Sequence, residues 1–474
     1  MSGGCDRLEP LYRPRSVAVL GASARPTSSG GAVVRMMRKA GYAGRIVPVN
    51  PKGGAIEGLP AVPGLDALDG PVDLVVVAIR PDAILEAVEA AARLGNRHFL
   101  VLPGGFREAG PQGVAREEAL AELARRFGLL VAGPNCGGLI RLDAKTRLAA
   151  TFFRDLPPGG GVAFVSQSGA LAEEMIAHAV ATSAPLGTVV SVGNALQLGI
   201  AEHLEFLAAD SATTAILLYF ESVADEEAFI RAARRAARRK PVVALIPGRR
   251  RPGRGAAAAH TGAAFADERT IRRLAARAGL LRVADLRELQ IAMRAFGRFP
   301  PGIGERVLIL SNSGGPGVLC TDRAALMGLK LRALPRAMAR ELRALLPGEC
   351  AVRNPLDILA DAREDRFAAC FDAAVRHSRA FDAVLMIHVV PFMVDAGPVV
   401  ACLAERARAA PWPVMHAMMG TLEHKAAWFA VLEQAGVLTF DSVEDMATAA
   451  GLLARYRRIR ASLGGADEKP ARPL

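Results

Sequence analysis

Aromatic residues make up only 5% of the 474-residue chain, cysteine occurs six times, and no apolar stretch is long. Each shortage excludes a class of protein. A membrane-spanning helix needs about 18–20 consecutive apolar residues, and VDLVVVAI (72–79) is typical of the longest runs here. The cysteines (5, 136, 320, 350, 370, 402) are scattered without Cys-x-x-Cys spacing, which excludes a disulfide framework and a structural zinc site. No apolar segment precedes the first strand-like run in MSGGCDRLEPLYRPRSVAVLG, so no secretory signal is read there. A soluble cytoplasmic protein without a resident metal is expected. The formal charge is +12, yet the cations sit in runs such as IRAARRAARRK (230–240), interleaved with alanine and lacking the aromatics that stack on bases. Such runs read as solvated helix faces with a general attraction for anions, and neither nucleic acid nor membrane is expected as a partner.

What is abundant is apolar: 51% of the residues, enough for several cores. Short β-branched runs alternate with 10–15-residue Ala/Leu/Arg/Glu stretches of helical spacing, the pattern of an α/β fold with parallel sheets. Strands are expected at 16–22, 44–50, 73–79, 98–103 and 129–134. A second set lies at 162–166, 187–193, 215–221 and 241–247, and a third at 306–311, 382–390 and 413–419. Breaks at RDLPPGGG (154–161) and RFPPGIGE (298–305) divide the chain into domains 1–150, 151–300 and 301–462, with a disordered tail at 463–474. One echo stands out. VAFVSQSGALAEEM (162–175) and VLILSNSGGPGVLC (307–320) both read strand, Ser-Gln/Asn-Ser-Gly, helix. Two similar domains in tandem are expected, each presenting a helix N-terminus at a tight turn.

The first strand leads through Gly21 and Ser23 to a Gly30–Gly31 pair and a helix, an opening suited to phosphate. The dinucleotide fingerprint Gly-x-Gly-x-x-Gly is broken at Ser23, and the second strand ends in Asn50 and Lys52 where a nicotinamide cofactor usually finds an acid. A phosphorylated nucleotide, NAD(P), or an empty Rossmann-like domain all remain open on these motifs. A cation at this point favours the first.

Together, GAS…GG, PVNPK, GGFREAG (104–110), GPNCGGL (133–139), VSQSGAL (165–171), SVGN (191–194), LLYFES (217–222), AHTGA (259–263), SNSGGPGV (311–318) and NPLD (354–357) resemble the NDP-forming acyl-CoA synthetases, relatives of succinyl-CoA synthetase. The likeness covers nearly the whole chain. It implies a Rossmann-like CoA-binding domain, then two flavodoxin-like domains. No ATP-grasp module is seen, so the chain resembles the α subunit of an ADP-forming acetyl-CoA synthetase. It implies acid + CoA + ATP ⇌ acyl-CoA + ADP + phosphate, through an acyl phosphate and a phosphohistidine. ATP/ADP and Mg²⁺ would sit on an ATP-grasp β partner in an α2β2 assembly, and the substrate would be a small carboxylic acid.

The resemblance implies that His260 is the phosphorylated residue and that Glu221 orients it. A neutral imidazole is a competent nucleophile near pH 7, and the C-terminal ends of neighbouring parallel strands converge on one crevice. The echoing turns, Gln167-Ser168-Gly169 and Ser313-Gly314-Gly315, are expected to bind the phosphoryl group. Gly21, Ser23, Gly30, Asn50, Lys52, Gly105 and Cys136 are expected around CoA, and Gly193, Asn194, Asn354 and Asp357 along the acyl site. The chain departs from the family pattern at Ala259, where serine is common, and in the adjoining AAFADE run. Two rivals remain: a catalytically silent CoA- or acyl-CoA-binding regulator, which the presence of both Glu221 and His260 disfavours, and an NAD(P) oxidoreductase, which the Asn50/Lys52 ending disfavours.

Overall fold

The computed structural model describes residues 3–248, 252 and 267–464. Two compact units emerge, Met1–Met293 and Arg294–Leu474.

The first unit holds two main sheets. β1 (Ser16–Leu20), β2 (Arg45–Val49), β5 (Leu74–Val77), β6 (His98–Val101) and β7 (Leu130–Ala132) pair in parallel in the order β2-β1-β5-β6-β7, with a small hairpin of β3 (Ala55–Ile56) and β4 (Leu59–Pro60) beside them. Leu74–Val77 is buried on every residue, which explains why the sequence reads as an unbroken apolar run: a strand covered by helices on both faces needs no polar side. The core gathers Val75, Val77, Val88, Phe99, Phe106, Leu120 and Val131. Helix Ser29–Ala40 begins at Ser28, whose Oγ accepts the Gly31 N–H at 3.1 Å, and stops at Gly41 in the left-handed region.

The second sheet contains β8 (Gly138–Arg141), β9 (Leu148–Thr151), β10 (Val162–Ser166), β11 (Leu186–Ser191), β12 (Ala215–Tyr219), β13 (Val242–Leu245) and β14 (Leu281–Arg282), in the order β14-β13-β12-β10-β11-β8-β9. β10 to β14 are parallel, whereas β8 and β9 form an antiparallel edge. Sequence reasoning leaves residues 138–150 at the end of the first domain. They join the second sheet because Arg141, 1% exposed, finds its counter-charges there. It donates to Asp210 at 2.9 and 3.2 Å and to Asp143 at 2.7 Å, while Arg13 reaches the same Asp210 at 2.8 Å. A buried guanidinium is tolerated only with such partners.

The second unit has one main sheet. β15 (Val307–Ser311), β16 (Leu356–Asp357), β17 (Ala383–His388), β18 (Val414–Met418) and β19 (Leu438–Phe440) run in the order β16-β15-β17-β18-β19, all parallel. Renumbered within each sheet, all three parallel sets follow 2-1-3-4-5, the flavodoxin-like doubly wound order. The expected strands form within one or two residues of their anticipated ends. The short β14, β16 and β19 escape the sequence reading, since two- or three-residue strands carry no periodicity.

Candidate functional site

In a doubly wound sheet, ligands collect beyond the C-terminal strand ends. At the first sheet, the chain leaves β1 through Gly21 at φ 84° and re-enters a helix at Ser29. A Cβ on Gly30 would lie 2.4 Å from the Gly21 carbonyl oxygen, and one on Gly31 2.2 Å from that of Ser23, so only glycine allows this tight return. Asn50 donates to the Ala22 carbonyl at 2.8 Å and accepts the Lys52 N–H at 2.9 Å. Its side chain thus braces the turn and sets the start of the Lys52 loop, leaving the Lys52 side chain exposed. Ser23 Oγ accepts the Arg25 N–H at 3.3 Å. Gly53 and Gly54, next to Lys52, have open space where a Cβ would project. Helix N-terminus, glycine turn and exposed cation form a donor set that fits a phosphorylated nucleotide.

Cys136 is buried, with Sγ 3.4 Å from the Val101 carbonyl, and burial pushes its thiol up to about 12. It is a packing residue here and not a thiolate nucleophile. Gly105 (φ 92°) donates its N–H to Glu108 Oε1 at 2.6 Å. Gly193 (φ 57°) lies so close to the 134–135 backbone that a Cβ would sit 2.2 Å from the Pro134 oxygen. Asn194 Nδ2 reaches Glu108 at 2.6 Å and Glu117 at 2.8 Å.

The second sheet carries the anticipated turn after β10. Ser166 Oγ accepts the Ser168 N–H at 3.0 Å and donates to the Ser168 carbonyl at 2.8 Å, closing the bend. Ser168 caps helix Gly169–Thr182 by accepting the Leu171 N–H at 3.3 Å. The Gln167 side chain is committed elsewhere. Its Oε1 accepts the N–H groups of Glu221 (2.6 Å) and Ser222 (3.3 Å), and its Nε2 donates to the Ser222 carbonyl at 2.8 Å. Gln167 therefore fixes the segment carrying Glu221. The Tyr219 hydroxyl donates to Glu221 Oε1 at 2.8 Å, and burial followed by this carboxylate pushes the phenol far above its ordinary range. β13 pairs beside β12 with Tyr219 opposite Leu245, so the chain leaving β13 starts next to Glu221. His260 lies outside the described residues.

In the second unit the turn after β15 repeats the first: Ser311 Oγ accepts the Ser313 N–H at 3.0 Å and donates to the Ser313 carbonyl at 2.7 Å. Helix Gly314–Leu326 comes next, starting with Gly314 and Gly315. The Asn354 side chain is bound to the β15 backbone. Its amide accepts the Ile309 N–H at 3.0 Å and donates to the Val307 carbonyl at 2.8 Å, standing in for a neighbouring strand along β15. Asp357 ends β16 and accepts the Leu359 N–H at 3.0 Å. Sequence reasoning missed Ser166, Ser311, Tyr219, Glu108 and Glu117, although Ser166 and Ser311 recur in the echo and Glu108 lies inside GGFREAG.

Three family models match in succession: a CoA binding domain over 15–141, a succinyl-CoA ligase-like flavodoxin domain over 159–296, and a ligase-CoA domain over 307–464. The α subunit of acetate–CoA ligase [ADP-forming] II from Pyrococcus furiosus is 31% identical over 95% of this chain and 98% of its own length. The chain belongs to the NDP-forming acyl-CoA synthetases. Within that family it is an α-type ligase chain. The α subunit of P. furiosus enzyme I is 34% identical, covering 78% of this chain and 80% of its own. The solved acetyl-coenzyme A synthetase 1 of Ca. Korarchaeum cryptofilum, in complex with phosphate and ADP, superposes with a TM-score of 0.90 at 29% identity, over 96% of this chain and 98% of that one. The chain spans about half the length of other curated relatives it matches, 52% and 54% in two cases. No helix among the described residues is long and apolar enough to cross a membrane.

Proposed function

We propose that this chain performs the acyl- and phosphoryl-carrying half of acid + CoA + ATP ⇌ acyl-CoA + ADP + phosphate, with a separate ATP-grasp β subunit handling the Mg²⁺-bound nucleotide. The observation that carries the reading is the placement of Glu221. Tyr219 and Gln167 hold it at the end of β12, beside the strand whose chain runs on to His260. A carboxylate there bonds one imidazole nitrogen, fixes the tautomer and leaves the other nitrogen to attack the phosphoryl group of an acyl phosphate. The N-terminus of helix Gly169–Thr182 offsets the charge gained; such a terminus contributes roughly 0.3–1 kcal/mol, and up to about 2 when partly buried. Splitting the transfer through His260 separates carbon–sulfur bond formation from nucleotide chemistry.

CoA enters at the β1 turn, its pyrophosphate on the Gly21–Gly31 backbone and its 3′-phosphate near Lys52. The names of the relatives point to a small carboxylic acid such as acetate. The α2β2 assembly, the cytoplasmic setting and the domain limits 1–150, 151–300 and 301–462 belong to the same proposal.

The test is labelling. Supplied with acetyl-CoA and labelled phosphate, the chain should take up a label that acid removes and base leaves. His260→Asn should abolish it while CoA binding stays intact. Label mapped to another residue, or full synthetase activity of His260→Asn with a β subunit, sinks the mechanism. ATP-dependent turnover by the chain alone would refute the need for a partner.

A further inference from the structure

A polar knot joins the first two sheets inside the first unit. Its centre is the Asn194 side chain. An amide NH₂ has two hydrogens, and here they go to two carboxylates, Glu108 Oε2 at 2.6 Å and Glu117 Oε2 at 2.8 Å, while Asn194 Oδ1 accepts from Asn135 Nδ2 at 3.2 Å. This pattern fixes the orientation of the amide, because a flip would aim its oxygen at both acids. Glu117 is buried and ion-paired with Arg107. The loop around Asn194 is sewn to the 131–136 segment by its backbone as well: Asn194 N–H to the Pro134 carbonyl at 2.9 Å and Leu196 N–H to that of Gly133 at 2.9 Å.

Glu108 differs from its neighbours in facing two ways. Its Oε1 accepts the N–H groups of Gly105 (2.6 Å) and Phe106 (3.0 Å), and its Oε2 accepts from Asn194. One carboxylate therefore spans the GGF loop and the SVGN loop. Partial burial works to raise this carboxyl, but the hydrogen bonds from Asn194 and from the Phe106 and Gly105 N–H groups hold it below the usual range, so it is an acceptor at both ends at neutral pH. A group so stabilised as an anion is a poor proton acceptor for chemistry.

We propose that Glu108 is a positioning residue that couples CoA occupancy of the Gly104–Phe106 loop to the Gly193–Gln197 loop, with the Asn194 amide as the receiving junction. This rests on the reading above that the first loop meets CoA. A shift of the Gly105 and Phe106 amides toward a ligand moves the carboxylate, and the carboxylate moves Asn194. Acyl-site geometry is then set only when CoA is seated, which keeps an acyl phosphate from water while the thiol is absent.

Hydrogen exchange on the full chain tests it, with CoA as the probe. In the parent protein, CoA should slow exchange at residues 105–106 and, through the knot, at 194–197, by about tenfold at the second loop, within the ordinary range of site-to-site coupling. Glu108→Gln supplies one acceptor and one donor where two acceptors are needed, so one end must face N–H with N–H. It should bind CoA and protect 105–106 yet lose most of the protection at 194–197. Glu108→Asp, a methylene too short to span both loops, should behave alike and serves if the glutamine variant fails to fold. Undiminished protection at 194–197 in these variants overturns the coupling alone. No CoA protection at 105–106 in the parent overturns the CoA reading and the coupling with it.

Discussion

The turns at Ser166–Gly169 and Ser311–Gly314 share one frame and differ in where they keep their acid. Register makes the equivalence strict: Ser166 pairs with Tyr219 and Ser191, and Ser311 pairs with Ile387 and Asp357. In both, a serine hydroxyl closes the bend, and an amide side chain ties it to the strand on one side, Gln167 to Glu221–Ser222 and Asn312 to Val389 at 2.7 and 2.8 Å. Counting two residues on from each pair, Glu221 in the first unit corresponds to Val389 in the second. On the opposite flank, neutral Ser191 corresponds to Asp357. Residues 246–267 connect β13 to the next described helix, whereas 419–424 suffice in the second unit. The frame presents a helix N-terminus in both copies; in the mechanism proposed above, it is the acid beside the outgoing strand and the connection carrying His260 that set the first copy apart.

Removing that acid should produce the largest effect. We expect Glu221→Gln to slow histidine labelling by roughly 10²-fold or more, the scale of lost acid–base and orienting contacts, without abolishing it. Val389→Thr, the matching change in the second unit, should leave the labelling rate within about twofold, since substitutions outside the machinery rarely reach a reaction rate. Rapid-quench labelling reads both. Equal losses would show that the two turns act as equals.

Acid should separate the units next. His388 and His416 are fully buried in the second unit, their rings 5.9 Å apart, and among the described residues none of their four ring nitrogens has a hydrogen-bond partner. Burial lowers His388 to about 4. Burial, then the His388 and Lys425 charges, lowers His416 well below its ordinary value. The first unit's buried His203, also lowered to about 4 by burial, at least meets the Tyr12 hydroxyl at 2.8 Å. Folded values below the unfolded value mean that the unfolded chain takes up protons first. Stability is then full above about pH 6.5 and is lost as pH falls from there toward 4. From pH 7 to pH 5, His388 alone should cost about 2 kcal/mol, with His416 acting in the same direction. Urea unfolding of the parent and of a His388→Leu/His416→Leu double variant checks this; a parent and variant with the same pH slope would refute it.

The longer parallel strands and their order of appearance were legible because buried parallel strands read as apolar runs between Gly and Pro, and the echo showed that two turns were alike. The sheet joined by β8 and β9 was not, because the reason lies in Arg141 meeting Asp210 across 69 positions. The site was legible as types and not as duties. Gln167 and Asn194 stand where a ligand contact was expected, yet their amides are taken up by protein groups, and no pattern along the chain shows which partner a long polar side chain will reach. Those duties can be tested in parallel. Gln167→Ala and Asn312→Ala each strip backbone groups of a partner and should each cost about 1–3 kcal/mol in urea unfolding. Only Gln167→Ala should also slow labelling, because it alone braces Glu221.

The smallest effect concerns the acid on the other flank. A Cβ built on Gly314 would lie 3.2 Å from Asp357 Oδ2, so this carboxylate stands beside the N-terminus of helix Gly314–Leu326. A fixed negative charge there favours the helix by about 0.3–1 kcal/mol and opposes any incoming anion by a similar amount. Ser191, its counterpart, carries no charge and accepts the Gly137 N–H at 2.9 Å. Asp357→Asn should therefore lower the stability of the second unit slightly in phosphate-free buffer and regain it in added phosphate, while the parent gains less from the same addition. Exchange protection at 314–317, measured with rising phosphate, reads the effect locally. Equal response in parent and variant would mean that Asp357 does not guard this helix end, and that the second turn differs from the first only in the residues beyond the end of β17.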